Sequence, residues 1–362
     1  MSNSARPPCG RRRRRACAAA LCLSLGALAW LLSGCASRPA RPPASEAAAG
    51  RRPDWPEPTL PAAVKVRVSA PGGQRVLTLP LDDYVLGAVR AEMLPSTLRA
   101  EPASRALDVQ ALVSRTYAVA NLGRHAADGY DLCDTTHCQV YRPATAGEGP
   151  ADAAARAVNA TRGRVLTFEG RVIQALFHAD CGGHTAAATS VWGGTDAPYL
   201  ESVDDVFCAR RPASAWAFDA EESGMLRALN ADARTRIGDR VRRVEIASRD
   251  RAGRALAVTV IGSKTISVRA EVFRAVMTRA FGPRSIRSTW FEVVRDGPRL
   301  RFSGVGFGHG VGLCQNGALR RVEARQTPAE ILAHYFPGTR LQTASTGPVR
   351  PDLARRLFAP NE

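Results

Sequence analysis

The spacing of apolar and polar positions divides most of the chain into short strands and amphipathic helices. Ala63–Val68 and Gln74–Leu79 read as a strand pair about the turn Pro71-Gly72-Gly73. In Asp82–Met93, residues Val85, Ala88, Val89 and Glu92 fall at i, i+3, i+4 and i+7, a helical stripe. Asp82 and Asp83 suit its start, because their carboxylates accept hydrogen bonds from the free amides there, and Pro95 ends it. Ala103–Asn121 follows as a longer, mostly apolar helix, and Ala151–Ala160 as a third. Val165–Phe168 and Arg171–Phe177 pair around Glu169-Gly170. Arg240–Ser248, Leu256–Ile261 and Lys264–Val268 read as antiparallel strands, and Ala270–Phe281 is a helix closed by Gly282-Pro283. Trp290–Val294 and Leu300–Ser303 lead into a glycine-rich loop and a helix from about Leu313. The last helix opens with the capping box Thr327-Pro328-Ala329-Glu330 and stops at Pro337. Helices and antiparallel strands come in clusters rather than in strict βαβ alternation, so the expected class is α+β, as one large domain or two packed lobes around a cleft.

Glu92 continues the apolar stripe of its helix rather than the wet face. Such a carboxylate either has a structural partner or is poised for chemistry. Arg90 and Arg99 are near enough in sequence to pair with it. Burial, in contrast, raises a carboxyl pKa toward the value a general acid needs near neutrality.

The N-terminus does not belong to this pattern. Arg6 and Arg11 to Arg15 precede the apolar run Ala16–Leu32, and Leu32-Ser33-Gly34-Cys35 follows. A basic region, an apolar stretch and a small-residue site make an export signal. The Cys after the small residues resembles a lipobox, which would make Cys35 the lipidated first residue of the mature chain. The rival is an uncleaved membrane anchor. Ala36 rather than Asp after Cys35 would suit the outer membrane of a Gram-negative cell. Removing residues 1–34 takes away six arginines and no acids, so the net charge falls from +17 to +11. A basic exported chain could meet nucleic acid, anionic lipid or an acidic polymer. Sparse aromatics without Lys/Arg interleaving argue against nucleic acid. Residues 35–62 are rich in Pro, Ala and Arg and read as a tether, 63–342 as the folded domain, and 343–362 as a fraying tail.

Three loops carry candidate chemistry. Cys133-Asp134-Thr135-Thr136-His137-Cys138, with His125 upstream, offers soft and borderline ligands for a tetrahedral zinc. A Cys133–Cys138 disulfide is the alternative that export permits. His178-Ala179-Asp180-Cys181-Gly182-Gly183-His184 could suggest a second metal or a thiol nucleophile, but no local nucleophile signature supports it. Gly304 to Ala318 places glycines at alternate positions without the endings of a P-loop or a dinucleotide fingerprint, and reads as backbone laid open for an extended ligand. Among the remaining cysteines, Cys181 can pair with Cys208 or with Cys314, and spacing does not choose.

Taken in order, VRAEMLP, VQALVSRTYA, CDTTHCQVY, CGGHT with VWG and PYL, GFGHGVGLCQNGA and ILAHYFPGT resemble the SpoIID/LytB family of stage II sporulation protein D and amidase-enhancer-like proteins, over roughly Leu81–Gly338. The resemblance implies a SpoIID-like catalytic domain and a peptidoglycan lytic transglycosylase acting on glycan strands, especially peptide-stripped ones. Glu92 corresponds to the family's Glu-Met-Pro glutamate, although Leu94 separates Met93 from Pro95 here. It also implies a structural zinc on Cys133, His137 and Cys138, with His125 as the fourth ligand. Arg115 would hold muramic-acid carboxylates, and Tyr117, Gln139, Tyr141, Tyr199, His309 and Gln315 would line the groove. Asp204 or Asp205 could orient a partner, though ordinary surface roles suit both. The expected setting is the cell envelope, facing the periplasm on a lipid anchor, with other wall hydrolases as partners. A non-catalytic glycan binder that recruits such a hydrolase is the rival reading.

Overall fold

The computed structural model describes residues 57–93, 101–143, 152–194, 197–209 and 214–347. The expected export signal, Cys35, Leu94, Pro95, Arg99 and the chain beyond residue 347 lie outside them. No helix among the described residues is long and apolar enough to cross a membrane.

The α+β expectation holds. The first hairpin, Ala63–Ala70 with Gly73–Pro80, runs directly into the helix Leu81–Glu92. Beside it lies Arg105–Ala120, in which every residue from Ala106 to Val119 except Asp108 is buried. A helix covered on all sides belongs to the interior. Around it pack Leu81–Glu92, Ala153–Ala160, the strand Arg164–Phe168, and the two C-terminal helices Gln315–Glu323 and Pro328–Tyr335.

Two short parallel pairings place the loop motifs on this core. Leu132–Cys133 pairs with Val66 and Arg67 of the hairpin, and Leu313–Cys314 pairs with Phe177–His178. The second pairing needs glycine beside it. Gly312 has φ +71°, and a Cβ there would run into the Leu176 carbonyl. At the ends, Thr59–Leu60 pairs in parallel with Ser345–Thr346, so the ordered region is wider than residues 63–342.

A second hydrophobic core occupies residues 216–302. The strand Ala215–Glu221 and the helix Glu222–Asn230, neither evident in the sequence pattern, join the predicted strands and the helix Ala270–Phe281 there. Phe273, Phe291 and Phe302 pack ring against ring at its centre.

Arg115 corrects the sequence reading. It is fully buried, and its Nη2 meets Asp82 Oδ1 at 2.9 Å. The same guanidinium donates to the carbonyl oxygens of Thr161 at 2.9 Å and Val158 at 3.2 Å. It ties three segments together and offers nothing to a substrate carboxylate. Arg115→Ala leaves those acceptors unpaired, and Arg115→Lys cannot reproduce the planar fork. Both variants should therefore unfold at lower urea, the alanine by about 3 kcal/mol.

Candidate active site

Glu92 is the last residue of its helix, half-buried, at the end of the helix dipole that disfavours an anion. Its Oε1 accepts from the Val140 amide at 2.6 Å, and the Gln315 side chain faces the same carboxylate. Burial dominates over these two donors and pushes the Glu92 pKa up to about 7. The pairing with Arg90 does not form, because that guanidinium reaches Asp152, with Nε at 3.1 Å from Oδ2. Arg99 lies outside the described residues, and among those described no cation bonds the Glu92 carboxyl.

A polar chain backs this carboxyl. Gln315 Nε2 donates to Gln110 Oε1 at 3.2 Å, and Gln110 Nε2 donates to Ser114 Oγ at 3.0 Å. Gln139 Nε2 donates to the Ser114 carbonyl at 3.2 Å. Gln110, Ser114 and Tyr117 stand at i, i+4 and i+7, a polar stripe on an otherwise apolar buried helix. Sequence reasoning missed Gln110 and Ser114, although polar residues repeating at helical spacing within VQALVSRTYA were the available signal.

The remaining expected groove residues separate. Tyr117 lies close enough to Glu92 for each charge to disfavour the other, but its ring is buried edge-on against Phe177. Tyr141 is buried and stacks on Tyr84, with ring centroids 5.4 Å apart, over Gly87, where a side chain would collide with it. Tyr199 is buried against Phe168, and its hydroxyl accepts from the Gln174 amide at 3.4 Å. Gln139 is buried as well. None of these four can offer a free face to a sugar. His309 lies between His178 and Trp192, and burial lowers its pKa to about 4, so the ring is neutral at neutral pH. Its Nδ1 accepts from the Val311 amide at 3.0 Å, which leaves the proton on Nε2. Gln315 alone of the seven expected substrate ligands faces the Glu92 carboxylate.

The loop that delivers Val140 is built on four potential metal ligands. Ligand atoms of His125, Cys133, His137 and Cys138 all lie within 4.8 Å of one another. Cys138 Sγ is 3.4 Å from His125 Nε2 and 3.7 Å from His137 Nδ1, and Cys133 Sγ is 3.8 Å from the latter. A disulfide is not formed. The Cys133 thiol is held well below its ordinary range by the hydrogen bond from Cys138, whose own thiol that bond pushes up. The donor set and spacing fit a tetrahedral zinc. Asp131 and Asp134 fix the loop to the hairpin by accepting from Lys65 N at 2.8 Å and Ser69 N at 2.7 Å.

Asp204 pairs with His184, whereas Asp205 is fully buried and accepts from the Tyr335 hydroxyl at 2.6 Å. Cys181 is fully buried, which closes its thiol to a substrate, and its Sγ donates toward Asp205 Oδ2 at 3.4 Å.

The profile of the stage II sporulation protein family, SpoIID, matches residues 71–168, and a domain of unknown function, DUF8618, matches residues 210–312. Stage II sporulation protein D of Bacillus subtilis (strain 168) is 30% identical over 301 residues, covering 79% of this chain and 81% of that protein. Its counterpart in Bacillus amyloliquefaciens is 30% identical over 305 residues, with 80% and 82% covered. An amidase enhancer of Bacillus subtilis (strain 168) is 26% identical over 293 residues, covering 69% of this chain but 39% of that protein.

The raised pKa of Glu92 has a stability consequence. The folded state binds this proton more tightly than the unfolded chain, so its contribution is present below about pH 4.5 and is lost as the pH rises through about 7. Glu92→Gln should therefore be more stable than the parent at pH 8, by roughly 2 kcal/mol, and no more stable at pH 4. Urea unfolding at the two pH values checks both signs.

Proposed function

The chain belongs to the stage II sporulation protein D family, and from that premise we propose that it is a peptidoglycan lytic transglycosylase with Glu92 as its single acid and base. The observation that carries this reading is a half-buried carboxyl, its pKa pushed up to about 7 by burial, that two neutral donors and no cation hold in place among the described residues. Hydrolytic glycosidases ordinarily use two carboxylates. A transglycosylase needs one, because the substrate supplies its own nucleophile. Protonated Glu92 gives its proton to the oxygen between N-acetylmuramic acid and N-acetylglucosamine as that bond breaks. The resulting carboxylate then takes the proton from the muramyl C6 hydroxyl, whose oxygen closes the 1,6-anhydro ring. Val140 N–H and Gln315 keep the carboxylate oriented through both halves of the cycle.

His125, Cys133, His137 and Cys138 would hold a structural zinc. Four protein ligands close the site, so the ion would supply rigidity to the loop bearing Val140 rather than a bound water. The export signal and Cys35 would place the enzyme on an envelope membrane, within reach of glycan strands and other wall hydrolases.

Mass spectrometry of peptide-stripped glycan strands incubated with the full chain tests the assignment. The parent should release anhydro-muramyl products, and Glu92→Gln should lose about three orders of magnitude or more. Turnover should fall as the pH rises through about 7, because the acid form is consumed. Products from both proteins would remove Glu92 from the mechanism. Glycan binding without products from either would favour the recruiter reading that the amidase-enhancer relative suggests.

A further inference from the structure

The second candidate loop, the CGGH segment, comes together with two distant cysteines. Cys181, Cys208 and Cys314 are fully buried with Asp205, and their four ligand atoms lie within 4.8 Å of one another. Cys314 Sγ is 3.7 Å from Cys208 Sγ, and Cys181 Sγ is 3.4 Å from Asp205 Oδ2. A tetrahedral ion with metal–sulfur bonds of about 2.3 Å sets its sulfurs about 3.8 Å apart. We propose that Cys181, Cys208, Cys314 and Asp205 bind a second ion, a mononuclear soft divalent metal of the zinc class.

The surroundings are those of a thiolate site. The amides of Cys181 and Gly317 both donate to Cys314 Sγ at 3.3 Å, and the Gly183 amide donates to Cys181 Sγ at 3.3 Å. A neutral thiol is a weak acceptor, whereas a metal thiolate keeps negative charge that such amides stabilise. Gly182 and Gly183, at φ +76° and +120°, let the backbone curl under Cys181 so that the Gly183 amide turns inward. The carboxylate is oriented from outside the cluster. The Tyr335 hydroxyl donates to Asp205 Oδ2 at 2.6 Å, and Arg321 Nη2 approaches Oδ1 at 3.4 Å.

Charge completes the match. A divalent ion with three thiolates and a carboxylate carries two surplus negative charges. The buried Asp180 carboxyl, held by Ser214 and Asn316 with its Oδ1 3.2 Å from Cys208 Sγ, stands beside the cluster. Two buried guanidinium groups flank it: Arg321 on Asp205, and Arg254, whose Nη2 donates to the Cys181 carbonyl at 2.6 Å. Nε and Nη1 of Arg254 have no hydrogen-bond partner among the described residues. Asp250 and Glu271 offset part of the buried charge on Arg254, and an anionic metal centre beside it would offset more. Four protein ligands leave no open position, so the ion is structural. It would join residues 178–184, 204–208 and 313–317, and thereby fix the start of the helix that carries Gln315 to Glu92.

The test uses the full chain purified under reducing conditions in detergent. Elemental analysis should find two zinc ions per chain. With Cys133→Ser/Cys138→Ser, one should remain, and its cobalt-substituted form should show the intense charge-transfer absorption of three sulfur ligands with a tetrahedral ligand-field band. Adding Cys208→Ser should weaken cobalt binding by at least 100-fold. If these variants do not fold, the parent chain still decides. Two ions with five sulfur ligands in total support the proposal, and a single ion with two overturns it. A disulfide linking any two of Cys181, Cys208 and Cys314 in protein isolated from the envelope would also overturn it. These readouts need no glycan, so they stand apart from the fate of the transglycosylase reading.

Discussion

A carboxyl withdrawn from water, with no cation bonded to it among the described residues, is the constraint on which this structure turns. An ion pair would anchor Glu92 and also lower its pKa, removing the proton that an acid must carry at neutral pH. Arg90, two residues before Glu92, is diverted to Asp152 and committed to the scaffold. The carboxylate is left with one amide and one carboxamide. These donors are strong enough to aim it and too weak to offset its burial.

Each of the two donors follows a cysteine cluster in the chain. Val140 comes two residues after Cys138, and Gln315 comes directly after Cys314. A hydrogen bond of 2.6 Å to a side chain at a helix end needs its loop held to within a few tenths of an ångström, and hydrophobic contact alone gives little directional control over a glycine-rich segment. Metal ions held by the two cysteine clusters would supply that control locally. The buried polar chain Gln110–Ser114–Gln139 does the same from beneath. Because a half-satisfied buried network costs more than an apolar one, its members act as a unit, and loss of Ser114 should be felt at Gln315.

Local pattern carried much of this into view. The first hairpin, the helices Leu81–Glu92, Arg105–Ala120 and Ala270–Phe281, and the capping box at Thr327 follow from periodicity and end signals that act over a few residues. Glu92 was legible for the same reason, as a carboxylate in register with Val85 and Val89. Burial of a long polar side chain was not. Arg115, Tyr117, Tyr141 and Tyr199 have the chemistry of a sugar-binding groove, but exposure depends on partners such as Asp82, Phe177, Tyr84 and Phe168 that only the tertiary fold selects. The burial of Asp205, for which the sequence alone suits a surface role, was hidden for the complementary reason, because its partners Tyr335 and Cys181 lie 130 and 24 residues away.

The segment between Cys208 and Trp290 bears none of the motifs singled out in the sequence, yet its second core is tied to the first. It sends Arg254 out of a strand start and into the first core, where Nη2 reaches the carbonyl oxygens of Cys181 and His184. Gly310 gives way to it, since any side chain there would strike the guanidinium. Gly306 and Phe307 bond to Ser214 and Asp180 on either side of the same loop. The glycine-rich stretch is thus clamped between the two cores. Its lack of side chains, which suggested an open path for an extended ligand, also admits an arginine and a neighbouring backbone at close range. The second core thus helps to fix the loop that ends in Gln315, and a change at Arg254 would reach Glu92 through that loop.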